Sequence, residues 1–296
     1  TYLFIFIFSC SQDQEVNETK KDDKQFIQWD EFIDYRKGDI PLLIISVHGG
    51  DIEPELIKSR SCDGATIVRD SHTLKIAQLI ELELKILGYR PYIVLNNLHR
   101  KKLDLNRSLK NSNCGDQTTE IYWNLFHKQI EAFRTEIQNR FGLGLVIDIH
   151  GQSHVEQRIE LGYLLSSSEL RKNSELINSL EYKNRSSIKS LLINHTENLK
   201  FTDLLSGEFS MGSLLNESGY ASVPSKEDVA PKDGELYFSG GYNTATYGSR
   251  DGGSIDAIQI ELNMNGVRDS SEKRKLFSKD FAQVLLNYLR THYIDL

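Results

Sequence analysis

Apolar and polar positions along this chain follow two rhythms. Short stretches rich in Ile, Val and Leu occur at 42–47, 92–95, 145–149 and 255–262. Runs of four to eight such residues read as buried strands. Between them lie longer stretches with apolar residues three and four apart. Leu74, Ile76, Ala77, Ile80, Leu84 and Leu87 predict a helix over 73–87, stopped by Gly88. Ile121, Leu125, Phe126, Ile130, Phe133 and Ile137 predict a second over 120–140, closed by Gly142 and Gly144. Leu276, Phe277, Phe281, Val284, Leu285 and Tyr288 predict a last one over 274–288. Alternating strands and helices point to a parallel sheet with helices on its faces.

Other stretches read less regularly. Phe26, Trp29, Phe32 and Tyr35 stand at near-helical spacing and suggest a short helix or docking segment within 25–40. Residues 159–165 suggest a further strand, and 169–205 mostly helix. Residues 206–254, rich in Gly, Ser, Asp, Asn and Tyr, predict a long functional or mobile loop. No internal repeat is evident.

At 296 residues, with 39% hydrophobic and 26% charged residues, the chain suits a soluble globular protein of one large domain or two small ones. A formal charge of -7 and the lack of a dense Lys/Arg stripe argue against nucleic acid as a partner. Cys10, Cys62 and Cys114 form no Cys-x-x-Cys pair, so no thiolate zinc framework is expected. Cys62 and Cys114 could pair in an exported protein, but two free thiols are the simpler expectation.

The chain begins with the apolar run Leu3-Phe4-Ile5-Phe6-Ile7-Phe8, too short to span a bilayer, followed by Ser9-Cys10-Ser11-Gln12. This has the look of a secretory h-region ending in a bacterial lipobox, with Cys10 as the lipidated residue. The polar residues that follow favour this over a buried first strand. The expected division is residues 1–24 as signal and tether and 25–296 as the catalytic domain. The expected location is the cell envelope, with membrane contact only through the anchor at Cys10. If the segment is not a signal, the location is cytoplasmic.

The chemistry gathers where two strands end. Run 42–47 stops at His48-Gly49-Gly50-Asp51-Ile52-Glu53-Pro54, and 145–149 stops at His150-Gly151. The C-terminal edge of such a sheet is where ligands bind. Two histidines and a carboxylate make a three-ligand zinc set that keeps a fourth position open. Asp51 and Glu53 both lie within reach of His48 in sequence. Asp148, two residues before His150 and so on the same face of its strand, suits an orienting partner. Glu261 interrupts an apolar strand, a costly place for a carboxylate unless its pKa is raised or it is paired, and it reads as a general base. Arg100 and Arg107 flank a polar loop with Asp104 and Asn106. Arginine's fork suits an anionic group on a substrate.

Together, His48-Gly49-Gly50, Arg100…Asp104-x-Asn106-Arg107, Asp148-Ile149-His150-Gly151 and Gln259-Ile260-Glu261 resemble the N-formylglutamate amidohydrolase-like family. These are zinc carboxypeptidase-like hydrolases whose relatives include aspartoacylases and poly-γ-glutamate hydrolases. The resemblance spans about residues 40–265. It implies a single three-layer α/β domain with a central mixed, mostly parallel sheet, phosphorylase/hydrolase-like, and one catalytic zinc. It also implies hydrolysis of an amide near a carboxylate, in an N-acyl amino acid or glutamyl-type peptide. Carried over by position, His48 and His150 are metal ligands and Glu261 the catalytic glutamate. Asn106 and Arg107, with Arg100, grip the substrate carboxylate. For the carboxylate ligand the glutamate before proline, Glu53, is the first choice, Asp51 the second and Asp70 the third. In the implied mechanism Glu261 takes the water proton and returns it to the leaving amine. The segment from Ser239 to Thr244 is expected to close over the substrate. A cell-wall or peptide amidase acting outside the cytoplasm, and a non-catalytic binding lipoprotein on the same fold, are the alternatives.

Overall fold

The computed structural model describes residues 27–194 and 199–294. The N-terminal run and Cys10 lie outside them. One seven-stranded sheet organises the rest: β1 (Ile33–Arg36), β2 (Leu42–Ser46), β3 (Tyr92–Asn96), β4 (Gly144–Gly151), β5 (Ile159–Gly162), β6 (Ser222–Val223) and β7 (Ile255–Leu262). The order across the sheet is β1-β3-β2-β4-β7-β5-β6. The pairs β2/β3, β2/β4, β4/β7 and β5/β6 are parallel, whereas β1/β3 and β5/β7 are antiparallel. This is the mixed, mostly parallel sheet of a single α/β domain.

The helices occupy both faces because the central strands are apolar on both. Helix α1 (Thr73–Ile86) buries Ile76, Ala77, Ile80 and Leu84 against Leu42, Ile44, Leu145 and Ile147. It shares that face with α3 (Ser271–His292), which contributes Phe277, Phe281 and Leu285. Helix α2 (Glu120–Phe141) covers the opposite face with Tyr122, Phe126, Ile130 and Ile137 against Leu43, Ile45, Val94 and Val146. Each fully buried aliphatic side chain contributes on the order of 1.5–3 kcal/mol, which outweighs any local propensity. Gly88 ends the first helix at φ +91°, a conformation open to glycine.

Three expectations are sharpened or changed. Of the segment 25–40, expected as a short helix or docking segment, the described residues form a 3-10 turn, Trp29–Phe32, that leads into edge strand β1. Trp29 stacks on Tyr122 with ring centroids 5.9 Å apart, and Arg36 donates twice to Glu81 at 2.6 Å. These tertiary partners hold the segment extended. The stretch 169–205 is mostly helix among its described residues, as expected, but in four- to six-residue pieces such as Ser174–Ile177, capped by Asn173, and Leu180–Arg185. The third concerns Cys62 and Cys114, which are joined as a disulfide with Cα atoms 5.4 Å apart, not left as free thiols. Within 206–254 the chain also forms the helices Met211–Glu217 and Tyr242–Tyr247. No helix among the described residues is long and apolar enough to cross a membrane.

Asp256, near the start of β7, is a buried carboxyl away from the strand ends where the histidines lie. Ser249 Oγ donates to it at 2.5 Å and Tyr293 Oη at 3.0 Å. Burial pushes it up to about 7 in spite of those bonds. Its unfolded value is about 4. Between the two the native state keeps a proton that the unfolded chain has released, so stability is greatest below this window and falls as pH rises through it. Denaturant titrations of wild type and Asp256→Asn at pH 5, 6 and 7 should show the variant gaining on wild type by roughly 1 kcal/mol per pH unit. A pH-independent difference would contradict the assignment.

Candidate metal centre and active site

The two histidine-ending strands lie side by side. Pairing of β2 with β4 brings His48 and His150 to one edge of the sheet, with their Nδ1 atoms 3.1 Å apart. The glycines after His48 make this turn possible. A Cβ on Gly49 would stand 2.3 Å from the amide nitrogen of Leu74, and one on Gly50 2.4 Å from the backbone of Asn97. Neither neighbour is a flexible side chain that could yield.

The carboxylate between the imidazoles is Asp70. Its Oδ2 lies 3.4 Å from His48 Nδ1 and 3.2 Å from His150 Nδ1, and accepts the Gly151 amide at 3.2 Å. Local backbone bonds fix it there. Asp70 N–H donates to the His48 carbonyl, and the Thr73 hydroxyl, at the start of α1, donates to the Asp70 carbonyl. Glu53 and Asp51 are not brought to the histidines. Their loop runs beside 97–99, where Ile52 N–H donates to Asn97 O and His99 N–H to Ile52 O. Glu53 then pairs with Lys101 and His99, and Asp51 with Arg69 at 3.2 Å, both toward solvent. The third candidate carboxylate, far from His48 in sequence, is the one that reaches it.

The outer nitrogens of both rings are also held. His48 Nε2 lies 2.7 Å from Asp104 Oδ1, and His150 Nε2 lies 3.0 Å from Asp148 Oδ2. Asp148 is almost wholly buried, and neither oxygen has a well-aligned hydrogen-bond donor among the described residues. Burial works to raise Asp70, but His48 and His150 outweigh it and hold the carboxyl well below its usual range. Asp104 is likewise pushed up by burial and driven far down by His48, Arg100 and Arg60.

This donor set fits a tetrahedral cation. Metal–ligand bonds of 2.0–2.1 Å place neighbouring ligand atoms about 3.3 Å apart. The three inner contacts here are 3.1, 3.2 and 3.4 Å. His48, Asp70 and His150 are the group of side chains among the described residues whose ligand atoms converge in this way. Carboxylates behind both histidines are the usual means of fixing tautomer and ring orientation in a metal site.

Glu261 is the neighbour of His150 across β4/β7, in direct register. It borders the same cavity, of about 500 Å³, as His48, Asp70 and His150. Gln259 Nε2 donates to its Oε1 at 2.8 Å. Burial is the main cause that pushes Glu261 up to about 8, the His150 charge opposing it. Of the other expected residues, Arg100 donates to Asp104 at 3.1 Å and reaches Asp70 at 3.5 Å, so it braces the carboxylates around the histidines. Asn106 is committed as well. Its Oδ1 accepts Asn243 N–H at 3.0 Å, and a Cβ on Gly241 would strike its amide at 2.4 Å. The Gly240-Gly241 segment thus borders the cavity and is pinned to Asn106. Arg107 also borders the cavity, is exposed, and spends Nη1 on the Asn106 carbonyl.

Arg268 has no counterpart in the sequence reading. Its buried guanidinium donates to the carbonyls of Leu262, Ser71 and Gln152. It ties the end of β7 to the residues just after Asp70 and just after β4, and a Cβ on Gly151 would meet it at 2.6 Å. An arginine six residues beyond a strand carries no signal of this. The role of Asp104 was more accessible, since Asp104-x-Asn106 sits beside Arg100.

No protein-family model and no curated protein matches the chain. Among solved structures, it is similar to the gene product Atu2144 from Agrobacterium tumefaciens, with a TM-score of 0.52 at 13% identity, covering 88% of this chain and 94% of that one. It is also similar to N-formylglutamate amidohydrolase from Ralstonia eutropha JMP134, with a TM-score of 0.50 at 10% identity, covering 87% and 96%. At these identities the likeness is one of fold, and the resemblance drawn from the motifs is met there: the chain has the fold of an N-formylglutamate amidohydrolase.

Proposed function

We propose that this protein is a metal-dependent amidohydrolase that cleaves an amide near a carboxylate, in an N-acyl amino acid or glutamyl-type peptide. One observation carries the reading. Three buried ligand atoms from His48, Asp70 and His150 stand at tetrahedral spacing, beside a buried glutamate in register with His150. A zinc ion bound by these three residues supplies Lewis acidity toward a carbonyl and a water.

The chain's own groups do the rest. Glu261, held by Gln259 and in register with His150, takes a proton from the attacking water. Asp104 and Asp148 keep the imidazoles oriented. Arg107, on the cavity rim, receives the substrate carboxylate and places the amide over Glu261. Arg100, already bonded to Asp104, supports this charge from behind.

The disulfide between Cys62 and Cys114 favours a second reading of the substrate. Disulfides persist in oxidising compartments, in keeping with export and with an amidase acting on cell-wall peptides. A panel of N-formyl-L-glutamate, γ-glutamyl peptides and muropeptides separates the two: preference for the larger substrates supports the envelope reading, and preference for formylglutamate opposes it.

Metal analysis of purified protein should find about one zinc per chain, as a three-ligand site requires. It should be lost in Asp70→Asn and His150→Ala and kept in Glu53→Gln. A folded wild type that takes up no metal when zinc is supplied would overturn the proposal, and loss of metal in Glu53→Gln would overturn the role of Asp70. Glu261→Gln should retain its zinc while turnover of the best substrate falls by on the order of 10²–10⁴-fold. Normal turnover in that variant would remove Glu261 from the mechanism.

A further inference from the structure

A second acid–imidazole pair borders the same cavity, and the steps above leave it without a role. Glu160, on β5, stands in register with Glu261 across the antiparallel β5/β7 pair. The two carboxylates therefore share a face of the sheet, with Cα atoms roughly 5 Å apart. Glu160 is completely buried. Its Oε2 accepts the Phe238 amide at 2.8 Å, and its Oε1 lies 2.7 Å from His154 Nδ1. A buried carboxylate without such partners would be strongly unfavourable. Arg158, a cation nearby, is taken up by Asp228 and Glu235.

His154 is fixed on three sides. Its backbone N–H donates to Gln152 Oε1 at 2.5 Å, its Nδ1 faces Glu160, and its ring stacks on Phe238 with centroids 4.7 Å apart. His154, Phe238 and Glu261 border one cavity. Nε2 is the ring atom left without a protein partner among the described residues. An imidazole oriented through Nδ1 by a buried carboxylate, with Nε2 open to a reaction cavity, is the arrangement of a proton carrier.

We propose that His154, positioned by Glu160 and Phe238, delivers the proton to the departing nitrogen. This divides between two residues the proton transfers that one glutamate would otherwise perform, and it rests on the amidohydrolase reading. The water oxygen bonds to the carbonyl carbon while a water proton passes to Glu261. As the carbon–nitrogen bond breaks, its electron pair stays on nitrogen, which takes a proton from His154 Nε2. The proton held by Glu261 then returns through the cavity to Nε2. One water is consumed, and an acid and an amine are released.

The test uses zinc-supplied protein with two probes, the best-cleaved amide of the panel and the p-nitrophenyl ester of the same acyl group. A phenolate leaves without needing a proton. His154→Gln should lower kcat on the amide by on the order of 10²-fold and on the ester only several-fold. Glu160→Gln, which can still accept the Phe238 amide, should show the same amide-selective loss with an unchanged melting profile. Equal losses on both probes, or none on the amide, would overturn the role of His154 while leaving the amidohydrolase reading intact. A wild type that cleaves neither probe would sink that reading and this one together.

Discussion

Two imidazole nitrogens 3.1 Å apart at a nearly dry sheet edge demand opposite charge close by, and much of the architecture answers that demand. Asp70 stands between the rings, and Asp104 and Asp148 stand behind them. Each comes from a different element: the lead into α1, the loop after β3, and β4 itself. A buried, unpaired charge costs several kcal/mol, so no member of the set can be displaced without leaving another uncompensated. Arg100 and Arg60 sit on the outer side of Asp104, at 3.1 and 3.7 Å, and limit the excess of negative charge. The cluster is therefore also a junction that fixes where the sheet edge, the first helix and two long loops meet.

Strand register carries the chemistry outward from that junction. His150, Glu261 and Glu160 are direct neighbours on β4, β7 and β5. Side chains paired in this way share a face, so an imidazole and two carboxylates form a row on rigid backbone. Gln259 and His154 hold the two carboxylates from either end. Arg268 locks the strand ends to the loops below them. Such a site has little freedom to rearrange, which suits a reaction in which positioning supplies much of the rate.

What could be read in the chain follows from which forces act locally. The run 255–262 keeps Ile, Ala and Leu at five of its eight positions and is β7 from end to end. Gly88 stops a helix because of its own backbone freedom. His48, His150 and Glu261 stand out because polar groups at the ends of apolar strands are conspicuous. Reading stopped short where a distant partner decides. The near-helical spacing up to Tyr35 suits a short helix or a docking segment, and it is docking of Trp29 on Tyr122 and pairing with β3 that draw residues 33–36 out straight. Glu53 is five residues from His48, yet pairing of Ile52 with the 97–99 segment turns it away, and Asp70 arrives from 22 positions along the chain. Proximity in sequence is a poor guide when the intervening loop is itself paired. The cysteines illustrate the same limit, since 52 residues separate two sulfurs that the fold places in contact.

The glycines after His48 have a consequence for how this architecture can diverge. Their missing side chains make room for the main chain of Leu74 and Asn97. Main chain cannot be exchanged for something smaller, so no compensating substitution elsewhere restores the space. Charged positions such as Glu53 and Asp51 form ion pairs at the solvent edge and are free to drift. Across distant descendants the durable trace of this site is thus an emptiness, two positions with no side chain at all, while the acidic residues that most attract the eye are the first to be lost.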